Sequence, residues 1–121
     1  LKYFAGARDD HTARLFDGLE GYPTGGGAET FSRDELSAML NASGFVRQHF
    51  YYPHPDYKLP TEIFSDLRLP ADDCVLADAP NYDQERLKLF NEQRAWQTIA
   101  RARQFPLFAN SFLVLASRLN Q

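Results

Sequence analysis

The stretch from Phe31 to Tyr52 constrains the fold more tightly than any other part of the chain. Ser32 can cap a helix, and Glu35, three residues later, can return the hydrogen bond as a capping box. Phe31 and Leu36 flank that box at the two positions of a hydrophobic staple. Leu36, Met39 and Leu40 share one helical face, and Gly44 is placed to end the helix in a left-handed conformation. The pattern predicts a helix over 33–43. Phe45-Val-Arg-Gln-His-Phe-Tyr-Tyr52 follows at once, β-branched and aromatic, with the faces 45/47/49/51 and 46/48/50/52 differing in polarity. It reads as a strand ended by Pro53 and Pro55, which have no N–H to give a ladder.

The remaining elements are set by weaker signals. Leu15, Phe16 and Leu19 form a short apolar stripe closed by Gly18 and Gly21, and Pro23-Thr-Gly-Gly-Gly27 is a loop. From 53 to 81 the chain is rich in proline and poor in periodicity, with Thr61-Glu-Ile-Phe-Ser65 suited to a short turn of helix or a strand. A loop of that length inside a small domain is usually functional or packed against another element. Asn81 or Asp83 can cap a second long helix, its stripe running Leu87, Phe90, Ala95 or Trp96, Ile99 and Ala102 or Arg103, before Pro106 stops it. Residues 107–116 form an apolar run that predicts a buried strand, and 118–121 a polar tail. The predicted order is helix, helix, strand, long loop, helix, strand, a mixed α/β chain.

Length and composition exclude several function classes. The chain has 121 residues, enough for one domain with a real core and too few for two. Apolar residues at 44% exclude a disordered tail, and a single cysteine, Cys74, excludes a disulfide scaffold and fits a reducing compartment. Thirteen basic residues against 16 acidic ones give a charge of −3, the wrong sign for a non-specific nucleic-acid binder. The longest apolar run, 112–116, is too short to cross a bilayer, and no secretory signal is visible. A cytoplasmic location is the expectation. The opening Leu1-Lys-Tyr-Phe-Ala5, without Met or a polar lead-in, reads as a piece cut from a longer chain.

Few residues suit chemistry by local pattern. Gly25-Gly-Gly27 supplies only part of a phosphate loop and has no strand before it. His11, His49 and His54 are scattered, which speaks against a metal cluster. His11 follows Asp9-Asp10, which suits a solvated helix N-terminus where aspartates favour the dipole, with acid–base work as the functional alternative. Carboxylates beside Cys74 raise a thiol pKa and argue against a nucleophile. Phe50-Tyr-Tyr-Pro-His-Pro-Asp-Tyr57 places Tyr, His and Asp around rigid proline turns, a surface suited to a sugar or other polyhydroxyl ligand. The alternative is that Phe50 and Tyr52 are the inner face of a strand.

Several segments together resemble the C-terminal part of a bacterial class I S-adenosylmethionine-dependent methyltransferase family associated with surface-polysaccharide and lipopolysaccharide biosynthesis. They are Leu1-Lys-Tyr-Phe-Ala-Gly-Ala-Arg-Asp-Asp-His-Thr12, Gly18-Leu-Glu-Gly-Tyr22, Thr30-Phe-Ser-Arg-Asp-Glu-Leu36 leading to Ser43-Gly-Phe45, the run from Phe50 to Asp66, and Phe108-Ala-Asn-Ser-Phe-Leu-Val114. Ala13 departs from the glycine expected after the His-Thr pair.

The resemblance implies a fragment of a Rossmann-like methyltransferase fold, with helices packed on a terminal antiparallel strand pair. Residues 1–121 would form a single substrate-side subdomain, the cofactor-binding half lying upstream. S-adenosylmethionine would then serve the full-length protein, with no cofactor expected for this segment and no methylation by it alone. Its partners would be the N-terminal half of the same protein and a glycan-related acceptor, and its uncovered strands would be met either by self-association of the segment or by its long loop folding over them. The resemblance makes His11 the candidate base and Asp10, Tyr52 and Asp56 the candidate acceptor contacts. The competing expectation is a non-catalytic interaction or carbohydrate-binding module of a multidomain glycosyltransferase or polysaccharide-assembly protein.

Overall fold

The computed structural model describes residues 31–78 and 88–119. Its first element, α1 (Arg33–Ala42), begins as the sequence predicts. The Ser32 side chain accepts from the Glu35 backbone N–H, and the Glu35 carboxylate accepts from the Ser32 N–H at 2.9 Å. Gly44, at φ +85°, closes the helix.

The sheet has three antiparallel strands in the order β2-β1-β3: β1 is Arg47–His54, β2 is Glu62–Ser65 and β3 is Leu113–Ser117. The expected terminal pair is present as β1 and β3, with β2 added on the other edge of β1. The mixed α/β class stands.

Three boundaries differ from expectation. The central strand runs on through Pro53 to His54, where Pro53 lies opposite Ile63. Even-numbered residues of β1 turn their carbonyls to β2, since Phe50 accepts from Asp66 N–H and His54 from Thr61 N–H. The Pro53 nitrogen therefore faces the other edge, where β3 pairs no further than Tyr51. A missing donor costs nothing there.

The second helix, α2 (Glu92–Arg101), starts at Asn91 and not at Asn81 or Asp83. The Asn91 side chain accepts from Arg94 N–H at 3.1 Å, and the described residues before it, Lys88 to Phe90, are not helical. Apolar spacing at Leu87 and Phe90 stays in phase with the helix, but the cap decides where it begins.

The run 107–116 is not one strand. Pro106 starts a single helical turn, α3 (Phe105–Phe108), and β3 begins only at Leu113. Between them Asn110 donates to the Pro55 carbonyl at 2.8 Å, and the Ser111 hydroxyl accepts from Tyr57 N–H at 3.0 Å. Those two side chains bind the run to the segment after β1 and divide it.

The core lies between the sheet and the short helices. Phe50 and Tyr52 from β1, Trp96 and Ile99 from α2, Phe105 from α3 and Leu76 from the connecting loop are buried together. Phe105 sits at the centre, with Phe64 at 5.2 Å, Trp96 at 5.3 Å and Tyr52 at 6.0 Å between ring centroids. The contacts with Phe64 and Tyr52 are edge-on and that with Trp96 is tilted, and aromatic pairs of this kind are favourable beyond the area they bury. The long loop packs against its own chain: Gln93 accepts from Leu76 N–H at 3.1 Å and donates to the Leu76 carbonyl, and Gln97 donates to the Cys74 carbonyl at 3.3 Å. No helix among the described residues is long and apolar enough to cross a membrane.

Candidate functional site

Arg33 is the first residue of α1, and its backbone position follows directly from the Ser32 cap. Its guanidinium reaches across to the sheet, 4.4 Å above the Phe50 ring centroid. There it closes a ring of hydrogen bonds. Arg33 Nη2 donates to Asp66 Oδ2 at 2.7 Å, Arg33 Nε donates to Tyr52 Oη at 3.4 Å, and the Tyr52 hydroxyl donates to Asp66 Oδ1. The three residues come from α1, β1 and the turn after β2, so one carboxylate ties the three elements together.

The ring also decides protonation. Burial disfavours the phenolate, and the hydrogen bond to Asp66 adds to it, so the Tyr52 pKa is raised above the usual tyrosine value. For Arg33 partial burial works against the charge, but the bonds to Tyr52 and Asp66 outweigh it and hold the guanidinium firmly protonated.

Next to this ring a cleft of about 280 Å³ opens. Arg33 and Asp34 from α1 and Asp66 from the turn after β2 line it, together with Arg103, Gln104, Pro106 and Leu107. The placing of Arg103 and Gln104 depends on how α2 ends. Arg103 N–H donates to the Ala100 carbonyl and Gln104 N–H to the Ile99 carbonyl, both at 3.0 Å. This is a Schellman ending, and it places Arg103 at φ +58°. A residue with a Cβ pays roughly 1–2 kcal/mol for that left-handed conformation. The Arg103 side chain is 65% exposed, and its ion pair with Asp72 is long, at 3.7 Å.

The anticipated residues fall in different places. Tyr52 is fully buried, and it reaches the cleft only through Asp66 and Arg33. Asp56 is buried after β1, where its Oδ1 accepts from Lys58 N–H at 2.8 Å and from Leu59 N–H at 3.4 Å; it does not line the cleft. Asp10 and His11 lie outside the described residues. The sequence reading missed Arg33, Asp66, Arg103 and Gln104. One local signal was available: no glycine stands between the apolar stripe of α2 and Pro106, so a left-handed ending there falls on a residue with a Cβ.

No group of residues suited to a metal ion occurs among the described residues. Burial first, and the neighbouring Asp73 charge after it, raise the Cys74 thiol pKa, as expected of an unreactive thiol. His54 is also buried. Its Nε2 donates to the Ala77 carbonyl at 2.8 Å, its ring meets Trp96 edge-on at 5.2 Å, and its Nδ1 is buried without a partner.

Compared with protein-family models, curated proteins and solved structures, the chain matches none. The functional reading rests on the cleft and on the resemblance of the segments quoted above.

Proposed function

We propose that the chain is the C-terminal, substrate-side segment of an S-adenosylmethionine-dependent methyltransferase, and that it holds a glycan-related acceptor in the cleft beside Arg33 and Asp66. One observation carries the reading: the polar groups of the cleft are oriented before any ligand arrives, because Arg33 and Asp66 fix each other at 2.7 Å. Sugar hydroxyls donate and accept at once. They suit a surface offering carboxylate lone pairs, guanidinium N–H groups and the Gln104 amide side by side, with Pro106 and Leu107 against the C–H face. The helix-Gly44-Phe45-strand unit, paired antiparallel with the last strand, is in keeping with the same reading.

The described residues do not fit S-adenosylmethionine. Their sheet is antiparallel throughout, and their single glycine, Gly44, ends a helix where a cofactor turn would follow a strand. These residues bind and orient the acceptor, and an upstream segment carries the cofactor. Orientation is a large share of such chemistry, since a fixed acceptor replaces a bimolecular encounter by an intramolecular one.

A second reading, a carbohydrate-binding module without catalysis, is favoured by a cleft that sets Arg33, Asp66 and Gln104 beside the apolar Pro106 and Leu107. Calorimetry with glucose and with S-adenosylmethionine, followed by methyl-transfer assays on the longer protein, separates the two. Methyl transfer that appears only when the segment is joined to a cofactor-binding half, and falls at least tenfold in Asp66→Asn, supports the enzyme. Sugar binding with no transfer after joining supports the module. Tight binding of S-adenosylmethionine by the segment alone refutes the proposed division of labour.

A further inference from the structure

Two helices of this chain end in the same Schellman geometry, and the difference between them points to a ligand charge. At the end of α1, Gly44 N–H donates to Asn41 and Phe45 N–H to Leu40, both at 2.9 Å, and the left-handed residue is glycine. At the end of α2 the equivalent residue is Arg103. Glycine is the residue that takes this conformation without strain. An arginine there is unfavourable for the backbone, yet Arg103 is one of the residues that line the cleft.

The charges around the cleft are not equally committed. Arg33 is matched by Asp66 at 2.7 Å and by Asp34 at 3.4 Å. Among the described residues Arg103 has only the 3.7 Å pair with Asp72, and both of those side chains are more than half exposed. A pair so long and so solvated is readily exchanged for another anion. Asp34, 89% exposed, opposes an incoming anion only through solvent-screened repulsion.

We infer that the cleft takes an anionic polyhydroxyl ligand, a sugar bearing a carboxylate or a phosphate, with Arg103 binding the anionic group while the Arg33–Asp66 pair binds hydroxyls. The inference rests on the acceptor-cleft reading above and adds the ligand's charge to it. Arg103 acts as a specificity residue: it gives up its bond to Asp72 and forms a charge-assisted, two-pronged contact with the anion.

The test uses the full 121-residue chain, titrated with glucuronate, glucose 6-phosphate and glucose, and followed by calorimetry and by the amide signals of Asp34, Asp66 and Gln104. At least one of the anionic probes binds tenfold or more tighter than glucose, and 0.5 M salt erases most of that difference. Arg103→Gly reduces binding of the anionic probe to about the level of glucose and unfolds at the same or a higher temperature. Arg103→Lys keeps part of the preference. The relative strength of glucuronate and glucose 6-phosphate assigns the anion. Equal binding of all three probes, or a preference that survives Arg103→Gly, overturns the inference and leaves the acceptor cleft standing. Failure of every probe to move the cleft signals overturns both.

Discussion

Arg103 and Gly44 occupy the same position in two copies of one helix-ending motif, at φ +58° and +85°. One of them is the residue that geometry prefers and the other is not. That contrast supplies a direct measure of what the backbone gives up at the cleft.

Arg103→Gly is expected to raise stability by about 0.5–1 kcal/mol, the relief of left-handed strain less the extra freedom of glycine in the unfolded chain. Gly44→Ala is expected to lower it by about 1 kcal/mol, even though a Cβ there would meet open space, because the conformation itself is unfavourable. Urea unfolding of the two variants checks the opposite signs. Equal losses in both would show that Arg103 stabilises the fold by other contacts.

The Tyr52–Asp66–Arg33 ring makes stability fall at high pH. Tyr52 has a folded-state pKa raised above its unfolded value near 10, by burial first and by Asp66 next. Its contribution is complete below pH 10 and is lost as pH rises towards the folded pKa. Tyr52→Phe is expected to cost about 1.5–3 kcal/mol at pH 7, the value of a hydrogen bond to a charged group. It should also flatten the loss of stability above pH 10. Chemical denaturation at pH 7, 9.5 and 11 reads both effects.

His54 sets the response to acid. Burial lowers its pKa, against the raising influence of the Ala77 carbonyl, Glu62 and Asp56. The unfolded chain therefore binds a proton that the folded one refuses. Stability is fully present above pH 6.5 and falls as pH drops below it towards the lowered folded-state pKa. The melting temperature between pH 7.5 and 5 should fall steeply in the wild type and less in His54→Gln. Parallel slopes would assign the acid sensitivity elsewhere.

Gln93 is expected to hold the long loop through Leu76. Gln93→Ala removes both amide bonds and leaves the Leu76 N–H and carbonyl without partners, at a cost of about 1–3 kcal/mol. Hydrogen exchange at the Leu76 amide should accelerate at least tenfold, while the amides of β1 keep the protection of the global fold. Acceleration spread evenly over both would mean that the loop opens only with the whole domain.

Phe105 is expected to carry a large packing effect. Phe105→Ala opens a cavity facing Tyr52, Phe64 and Trp96, and a loss of about 3–5 kcal/mol is expected. That is a large part of the stability of a small domain. A shallow, uncooperative thermal transition is the outcome to look for, and a loss below about 1 kcal/mol would place the core elsewhere.

What could be read from the sequence was what neighbours in sequence decide. The capping box at Ser32 and Glu35, the glycine stop at Gly44 and the buried face of β1 through Phe50 and Tyr52 all follow from groups within a few residues of one another. Orphan backbone N–H and C=O groups at helix ends are satisfied locally, so their signals are local too. Tertiary structure decided the rest. Pro53 stays in the strand because β3 ends short of it, and the run 107–116 divides because Asn110 and Ser111 bond to residues 55 and 57. The cleft follows the same logic. Tyr52 was legible as a polar aromatic, but its hydroxyl is assigned by Asp66, 14 positions on, and by Arg33, 19 positions back. Arg103 looked like the tail of an amphipathic stripe, and only the way α2 ends brings it to the cleft that Arg33 also lines.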